Sequence, residues 1–339
     1  MPNLTIGPQQ HTPAWYALRR AGTRTFGASW AAPLCGQSRY ATALDVYSWC
    51  VGLAEPEVNE AACRRGSIYE RAVLEDYAWE RETPVLAALP SVVNPDYPVL
   101  SASLDGCLSP FEDQEEAVCD YSDFIAPPVI CDPVEVKWSV SPAIAQDLGD
   151  EGTDYVPTEW LLQVQQQMLV TEQPRADIAV CLWGRLRIYE IAANDTLQRA
   201  ILAAAKEMLE RIDNRDPPEP QWEHPHVLRA VKAAHGHDGT VIDVSEDVAM
   251  MCDQYDYYRT MAANHEKKAK ESQARVLHAI QAASKAEGNG WRVSRSMVKE
   301  STWTEEAIEE ARRKAAALEV GAVRRKSYPR ITITRRESK

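Results

Sequence analysis

The 339-residue chain contains no run approaching the ~18 consecutive apolar residues of a membrane helix, so a membrane-spanning reading is set aside. Its opening stretch, MPNLTIGPQQHTPAWY, has neither the basic flank nor the apolar run of a secretory leader. The expectation is a cytoplasmic protein, in a host cytoplasm if the chain is phage-encoded. Eight cysteines include no C-x-x-C pair. That removes the commonest zinc and redox spacings and leaves free, often buried thiols as the simplest reading. There is no convincing internal repeat and no low-complexity tract. With 45% apolar and 26% charged residues, 15 Gly and 21 Pro, collagen-like and wholly disordered chains are excluded as well. The length corresponds to roughly two domains and is ample for a core without staples.

Basic residues are scarce over most of the chain. Residues 1–260 carry 19 Lys and Arg against 40 Asp and Glu, a net of −21, whereas residues 261–339 carry 18 against 10, a net of +8. The acidic majority argues against a broad polyanion-binding surface. It leaves room for a nucleic-acid enzyme that neutralises phosphate locally with metal ions.

What is present reads as an α/β chain. Residues 1–12 form a loose tail, 13–215 a core, 216–244 a linker containing Pro and His, and 245–339 a helical arm with a short terminal strand. From Thr12 to Val51, Gly, Ser, Ala and aromatics suggest short helices and turns. Residues 57–82 read as a helix containing Gly66 and ended by Pro84. Residues 97–104 and 133–140 read as strands, with an acidic solvated loop over 109–132 between them. Residues 158–170 read as a helix capped by Thr158. Residues 176–183 and 186–191 form a hairpin turned at Gly184-Arg185, followed by a helix from about Thr196 to Arg211. The prolines of DPPEPQW mark the domain boundary. Ser245 opens a long helix in which Val248, Met251, Tyr255, Tyr258 and Ala262 recur at spacings of three or four, and Val276, Ile280 and Ala283 resume the pattern. A stripe of that length predicts an arm or helical hairpin. Residues 301–319 predict another helix and YPRITITRR a short strand.

The informative constellation is Asp105, just after an apolar strand in SLDG, and Glu135-Val136-Lys137 within a second strand. Period two points Glu135 and Lys137 to one face and buries Val136 on the other. If the two strands are neighbours, Asp105 and Glu135 converge on one cation, and hard ions such as Mg²⁺ take two carboxylates and a backbone carbonyl. Such an ion polarises a phosphodiester and lowers the pKa of a bound water. Lys137 then orients that water or offsets transition-state charge. E-x-K alone carries little: about one chance copy is expected in such a chain, and Glu266-Lys267-Lys268 is a second. That copy sits in a helix with no acidic strand partner. An ordinary cross-strand Glu–Lys pair is the bland alternative.

The order of motifs adds more. WYALRR…FGASWAAPLCGQSRY, RGSIYE, SLDG, VEVKWS and LLQVQQQMLVT, spread over residues 15–191, resemble the lambda exonuclease and YqaJ-type viral recombinase family of PD-(D/E)xK nucleases. HPHVLRAVKAAHG and RITIT resemble its longer members more loosely. The resemblance implies a restriction-endonuclease-like core, a mixed β-sheet flanked by helices, with a C-terminal helical extension. It implies a Mg²⁺-dependent exonuclease, Mn²⁺ substituting, that digests double-stranded DNA from its ends 5′ to 3′. The 3′ single strands would serve an annealing protein of the RecT or lambda beta kind, and the enzyme would be a homo-oligomer such as a trimeric ring.

Carried over residue by residue, the resemblance makes Asp105, Glu135 and Glu70 metal ligands, with the Val136 carbonyl beside them. Lys137 becomes the catalytic lysine and Gln163 the active-site glutamine. Gly66, one turn before Glu70, leaves room on that face. Ser29 and one of Arg19, Arg20 or Arg24 become the 5′-phosphate contacts, since an Arg fork matches phosphate geometry. The chain departs from the pattern in carrying Ser103-Leu104 before Asp105, where the motif's name has proline, and in an insertion over Ala21–Arg24. A polar helix face is the bland alternative for Gln163, Gln166 and Gln167.

Other features stay outside this site. His224, His226, His235 and His237 match no standard zinc spacing. Tyr255, Tyr257 and Tyr258 are expected to pack. The basic residues near the C-terminus either track DNA backbone or form a solvated face. Two further readings remain: a non-catalytic DNA-binding or scaffold protein on a nuclease fold, and a Cas4- or RecB-like nuclease. The cysteine spacing does not resemble the four-cysteine cluster of Cas4-type proteins.

Overall fold

Strand alternation decides which side chains meet. The computed structural model describes residues 4–10, 12–17, 22–56, 60–109, 117–121, 131–235, 243–297 and 329–335. The chain divides into two units, Met1–Gly239 and Thr240–Lys339.

In the first unit a six-stranded sheet has the spatial order Arg185–Ala192, Arg175–Leu182, Pro133–Ser139, Gly106–Leu108, Val85–Ala87, Val118–Asp120. Strand Pro133–Ser139 runs parallel to Arg175–Leu182 and antiparallel to Gly106–Leu108, so the sheet is mixed. Successive side chains along it leave opposite faces. Val134 and Val136 pack with Val73, Leu74, Tyr77 and Ala78 of helix Glu60–Arg81. Glu135 and Lys137 face helix Thr158–Thr171, whose Val164 and Met168 cover Ile178, Val180 and Leu182 on that side. The expected α/β layering, a mixed sheet flanked by helices, is present.

Helix Thr158–Thr171 is buried on two sides. A second stripe, Leu162 and Val170, packs toward Phe26, Trp30 and Leu100 of the smaller sheet and its neighbours. That sheet has the order Thr5–Gln9, Pro90–Val93, Leu100–Ala102, Phe26–Gly27. With apolar stripes facing two layers, the glutamines of this helix lie in the seam between the sheets.

Local details depart from the sequence reading. Strand 97–104 shrinks to Leu100–Ala102 and belongs to the smaller sheet, so it is not the neighbour of Pro133–Ser139. The neighbour is Gly106–Leu108, the strand that follows Asp105. Ser103, Leu104 and Asp105 carry the chain from one sheet to the other. Gly106 allows this: a Cβ there would lie 2.9 Å from both Leu74 and Val85 side-chain carbons. The hairpin turns at Trp183-Gly184 rather than Gly184-Arg185, because Leu182 pairs with Arg185. Both turn residues have positive φ, 52° and 77°, as a tight two-residue turn requires. The N-cap of the glutamine helix is Pro157, whose carbonyl accepts from Trp160 and Leu161; Thr158 lies inside the helix.

Residues 216–235 belong to the first unit. Gln221 donates to the Gly36 carbonyl, and Arg229 forms an ion pair with buried Asp45. The acidic insertion expected at 109–132 falls mainly outside the described residues, although Asp120 pairs with Arg71 at 2.7 Å.

In the second unit the long helix is one continuous element, Glu246–Ile280, capped by the Ser245 hydroxyl accepting the Val248 N–H. None of its residues is buried. A three-stranded antiparallel sheet follows, in the order Lys285–Gly288, Trp291–Met297, Pro329–Arg335. The last strand coincides with the expected RITIT segment, while the helix expected at 301–319 lies outside the described residues. No helix among the described residues is long and apolar enough to cross a membrane.

Candidate active site

One buried carboxylate organises the site. Glu135 is only 3% exposed. Its Oε1 accepts from Lys137 Nζ at 2.5 Å and from Gln163 Nε2 at 2.6 Å, and its Oε2 accepts from Gln167 Nε2 at 2.6 Å. Lys137 also donates to Gln163 Oε1 at 3.1 Å and lies 5.8 Å from the centre of the Trp160 ring. Gln163 and Gln167 are four residues apart, so one helix face presents both amides to the strand. A buried charge needs such donors, since leaving one lone pair unmatched costs about 1–3 kcal/mol or more.

Asp105 reaches the same place from the sheet crossing. The antiparallel ladder between Gly106–Leu108 and Pro133–Ser139 pairs Gly106 with Val134. Just beyond it, Asp105 Oδ2 accepts the Val136 N–H at 2.8 Å. The side chain thus extends the ladder where the neighbouring strand has left the sheet. Gln167 also donates to the Ser103 carbonyl at 3.3 Å, tying that crossing to the glutamate.

Glu70 approaches from helix Glu60–Arg81. Burial, reinforced by the Glu135 charge and only partly opposed by Lys137, pushes its carboxyl up to about 7. Burial and the charges of Glu135 and Glu70 also raise Asp105 well above the usual carboxylate range, against the pull of Lys137 and the Val136 N–H. Burial acts to lower Lys137, but Glu135, Asp105 and Glu70 outweigh it and hold the ammonium above its ordinary value. Three acids therefore share one base.

This excess of negative charge, presented entirely on oxygen, fits a hard divalent cation in chemistry. Among the described residues no three His, Cys, Asp or Glu side chains are close enough to form a ready cage. Lys137 stands against Glu135, where the positive charge is needed.

The family comparison covers this constellation. Residues 14–174 match the model of the YqaJ-like viral recombinase domain. Over that segment the chain is similar to this domain. No curated protein matches the chain. Among solved structures, it is similar to an alkaline exonuclease, LHK-Exo, from Laribacter hongkongensis, with 16% identity and a TM-score of 0.44 over 60% of this chain and 94% of that one. The complex of LHK-Exo with dAMP matches at 16% identity and a TM-score of 0.42 over the same shares.

Ser29, Glu70, Asp105, Glu135, Lys137 and Gln163 all fall inside the matched segment. A cavity of about 500 Å³ joins Asp105 and Gln163 to Ser29, Arg24, Thr25 and Trp15. Ser29 sits on a short 3₁₀ turn, Ala28–Trp30. Arg24 is also on the lining, but its guanidinium forms a two-bond fork with Asp213 at 2.5 and 2.7 Å. Arg19 and Arg20 lie outside the described residues. Val136 is engaged through its N–H, held by Asp105. Space beside Gly66 is open, with nothing within 4 Å of a Cβ built there.

The sequence pointed to a site role for Gln163 and to none for Gln166 or Gln167, with a polar helix face as the alternative for all three. Gln165, Gln166 and Gln167 are all buried. Gln166 Nε2 donates to the Phe26 and Ser101 carbonyls, at 2.7 and 3.0 Å, stitching the helix to the smaller sheet. The available signal was a run of glutamines flanked on both sides by apolar residues, which marks polar groups bound for a doubly packed helix.

The histidines serve elsewhere. His224 Nε2 lies 2.9 Å from the Ser38 carbonyl oxygen, and its Nδ1 accepts the His226 N–H at 3.1 Å. His235 is exposed at the end of helix Val227–Ala234, and His237 lies outside the described residues. Cys50 and Cys107 are buried thiols, each pushed up to about 12 chiefly by burial.

Proposed function

We propose that this protein is a divalent-metal-dependent deoxyribonuclease that degrades duplex DNA from its ends, 5′ to 3′, leaving 3′ single strands for an annealing partner of the RecT or lambda beta kind. The observation that carries this reading is the grip of Lys137, Gln163 and Gln167 on one buried glutamate, with Asp105 and Glu70 electrostatically coupled to it. The YqaJ-like domain around these residues supports the same reading.

Asp105, Glu135 and Glu70 are the residues that would hold Mg²⁺ or Mn²⁺. Bound there, the ion supplies Lewis-acid polarisation of a phosphodiester and acidifies a water. The chain's own groups do the rest. Gln167 fixes Glu135 from below, so the carboxylate cannot swing away. Lys137 stays protonated and offsets charge accumulating on phosphate oxygens. Gln163 has an amide that accepts and donates, so it orients a water or a phosphate oxygen without adding charge. The packed stripe Val164 and Met168 keeps bulk water from the back of the site. The cavity leading to Ser29 and Arg24 is the place for the terminal nucleotide and its phosphate.

The test is digestion of linear duplexes labelled at one terminus, with 5′-phosphate or 5′-hydroxyl ends, with and without Mg²⁺. Metal-dependent loss of the 5′ label, abolished by Lys137→Ala and Asp105→Ala, is expected. Wild-type rates from both variants would remove the assigned site. DNA retained in a shift assay with no degradation under Mg²⁺ or Mn²⁺ would instead point to a binding or scaffold role.

A further inference from the structure

Helix Glu246–Ile280 presents an unmet demand. It spans about 52 Å at 1.5 Å per residue, yet it has no buried residue. Helices of this kind owe most of their stability to packing of an apolar face. Here the face exists but is bare: Met251, Tyr255 and Tyr258 are 64, 67 and 61% exposed, and the tyrosines expected to pack are among the most exposed large side chains.

We propose that this face pairs antiparallel with the same helix of a second copy of the chain. Two independent patterns select that partner and that direction. The first is volume. At 3,4 spacing the seam reads Val248, Met251, Tyr255, Tyr258, Ala262, His265, Ala269, Ser272, Val276, Ala279. Its bulk lies in the first half and its small residues in the second. An antiparallel pair centred between Ala263 and Asn264 sets Tyr255 opposite Ser272 and Tyr258 opposite Ala269. Large then meets small in each layer, the arrangement that fills a seam without voids or clashes. A parallel pair would stack tyrosine on tyrosine and alanine on alanine.

The second pattern is charge. The first half carries Glu246, Asp247, Asp253 and Asp256 against Arg259 alone, whereas the second carries Lys267, Lys268, Lys270 and Arg275 against Glu266 and Glu271. Antiparallel pairing sets the net-acidic half of one helix beside the net-basic half of the other, and parallel pairing sets like halves together. In the volume-matched register Lys268 of the second copy is level with Arg259 but lies on the other flank of the seam; on the flank of Arg259 the neighbour is Glu266 of the second copy, two positions along. Two-fold symmetry repeats that contact, so each interface holds it twice. Within its own helix Glu266 meets only Lys270, one turn on, through an exposed pair at 2.6 Å. Arg259 and Glu266 of one helix are seven residues apart, beyond the reach of the i,i+4 rule.

The test is sedimentation of the full chain as wild type, Arg259→Glu, Glu266→Arg and the double exchange. Both positions are exposed and helix-compatible, so folding is preserved and far-UV dichroism checks it. Each single reversal creates two like-charge contacts and is expected to weaken self-association at least tenfold, lowering the mass at a given concentration. The double exchange restores opposite charges and is expected to restore the wild-type mass. The same mass for all four proteins overturns the proposal. Failure of the double exchange to restore the mass overturns the antiparallel register. Nuclease activity has no part in the readout, so the result stands apart from the proposed function.

Discussion

Asp105 accepts the Val136 backbone N–H at 2.8 Å, so the acid is held to the strand that carries Glu135 and Lys137 although the strand preceding it belongs to another sheet. The link is a hydrogen bond an amide oxygen can also accept. Asp105→Asn should therefore fold with near-wild-type thermal stability while cleavage drops by on the order of 10²–10³-fold, the usual scale for one electrostatic element of an active site. A melting curve beside an end-labelled duplex assay checks both halves. A large fall in melting temperature would mean that the acid's charge, rather than its shape, holds the crossing.

Gln167 and Gln163 both donate to Glu135 but differ in what their loss exposes. Gln167 is the donor to Oε2, whereas Oε1 keeps Lys137 if Gln163 is removed. Gln167→Leu should cost about 1–3 kcal/mol, because it strands a buried charged acceptor. Gln163→Leu should cost less stability while still impairing cleavage. Urea titration of the two variants distinguishes them, and equal stability losses would contradict the assigned geometry.

Three acids around one ammonium should respond to a cation in the folded state. Adding Mg²⁺ or Mn²⁺ should raise the melting temperature of the wild type, since an ion that binds only the native protein stabilises it by mass action. Asp105→Asn and Glu135→Gln should blunt that rise. Calorimetry with and without EDTA is the measurement, and an unchanged metal response in both variants would place the ion elsewhere.

Arg39 pins the start of the glutamine helix through Glu159, donating from its backbone N–H and its Nε at 2.9 Å each, and reaches Asp147 at 2.8 Å. Burial alone would raise Glu159, but the bonds from Arg39 overcome it and leave the carboxyl below its ordinary 4.5. A depressed folded value means that the unfolded chain takes the proton first. The stabilisation is thus complete above pH 4.5 and is lost as pH falls through the lower folded value. Arg39→Gln should lose stability at neutral pH and show a shallower decline on the acid side. Melting temperatures from neutral to strongly acid pH check this, and parallel curves would rule it out.

Much of the site was legible because strand and helix periods are local rules. Period two alone put Glu135 and Lys137 on one face, and the motif order carried Glu70 and Gln163 with them. The arm's stripe and the terminal strand were equally plain, since each depends only on neighbouring residues. Gln167 was not legible as a partner of Glu135: a glutamine facing water and one facing a buried carboxylate look alike until a second layer is packed over the helix. Arg24 likewise stands beside Arg19 and Arg20 as one of three candidate phosphate ligands in sequence, and only the fold brings Asp213, 189 residues away, into its fork.

The amino-acid order thus determined the chemistry on offer: which acids, base and amides exist, and on which face of its own element each stands. Tertiary packing decided who meets whom. It made Gly106–Leu108 rather than Leu100–Ala102 the neighbour of the Glu135 strand, and it buried a row of glutamines between two sheets. Faces follow from bond geometry along one segment, whereas adjacency depends on how the apolar surfaces of distant segments close against one another.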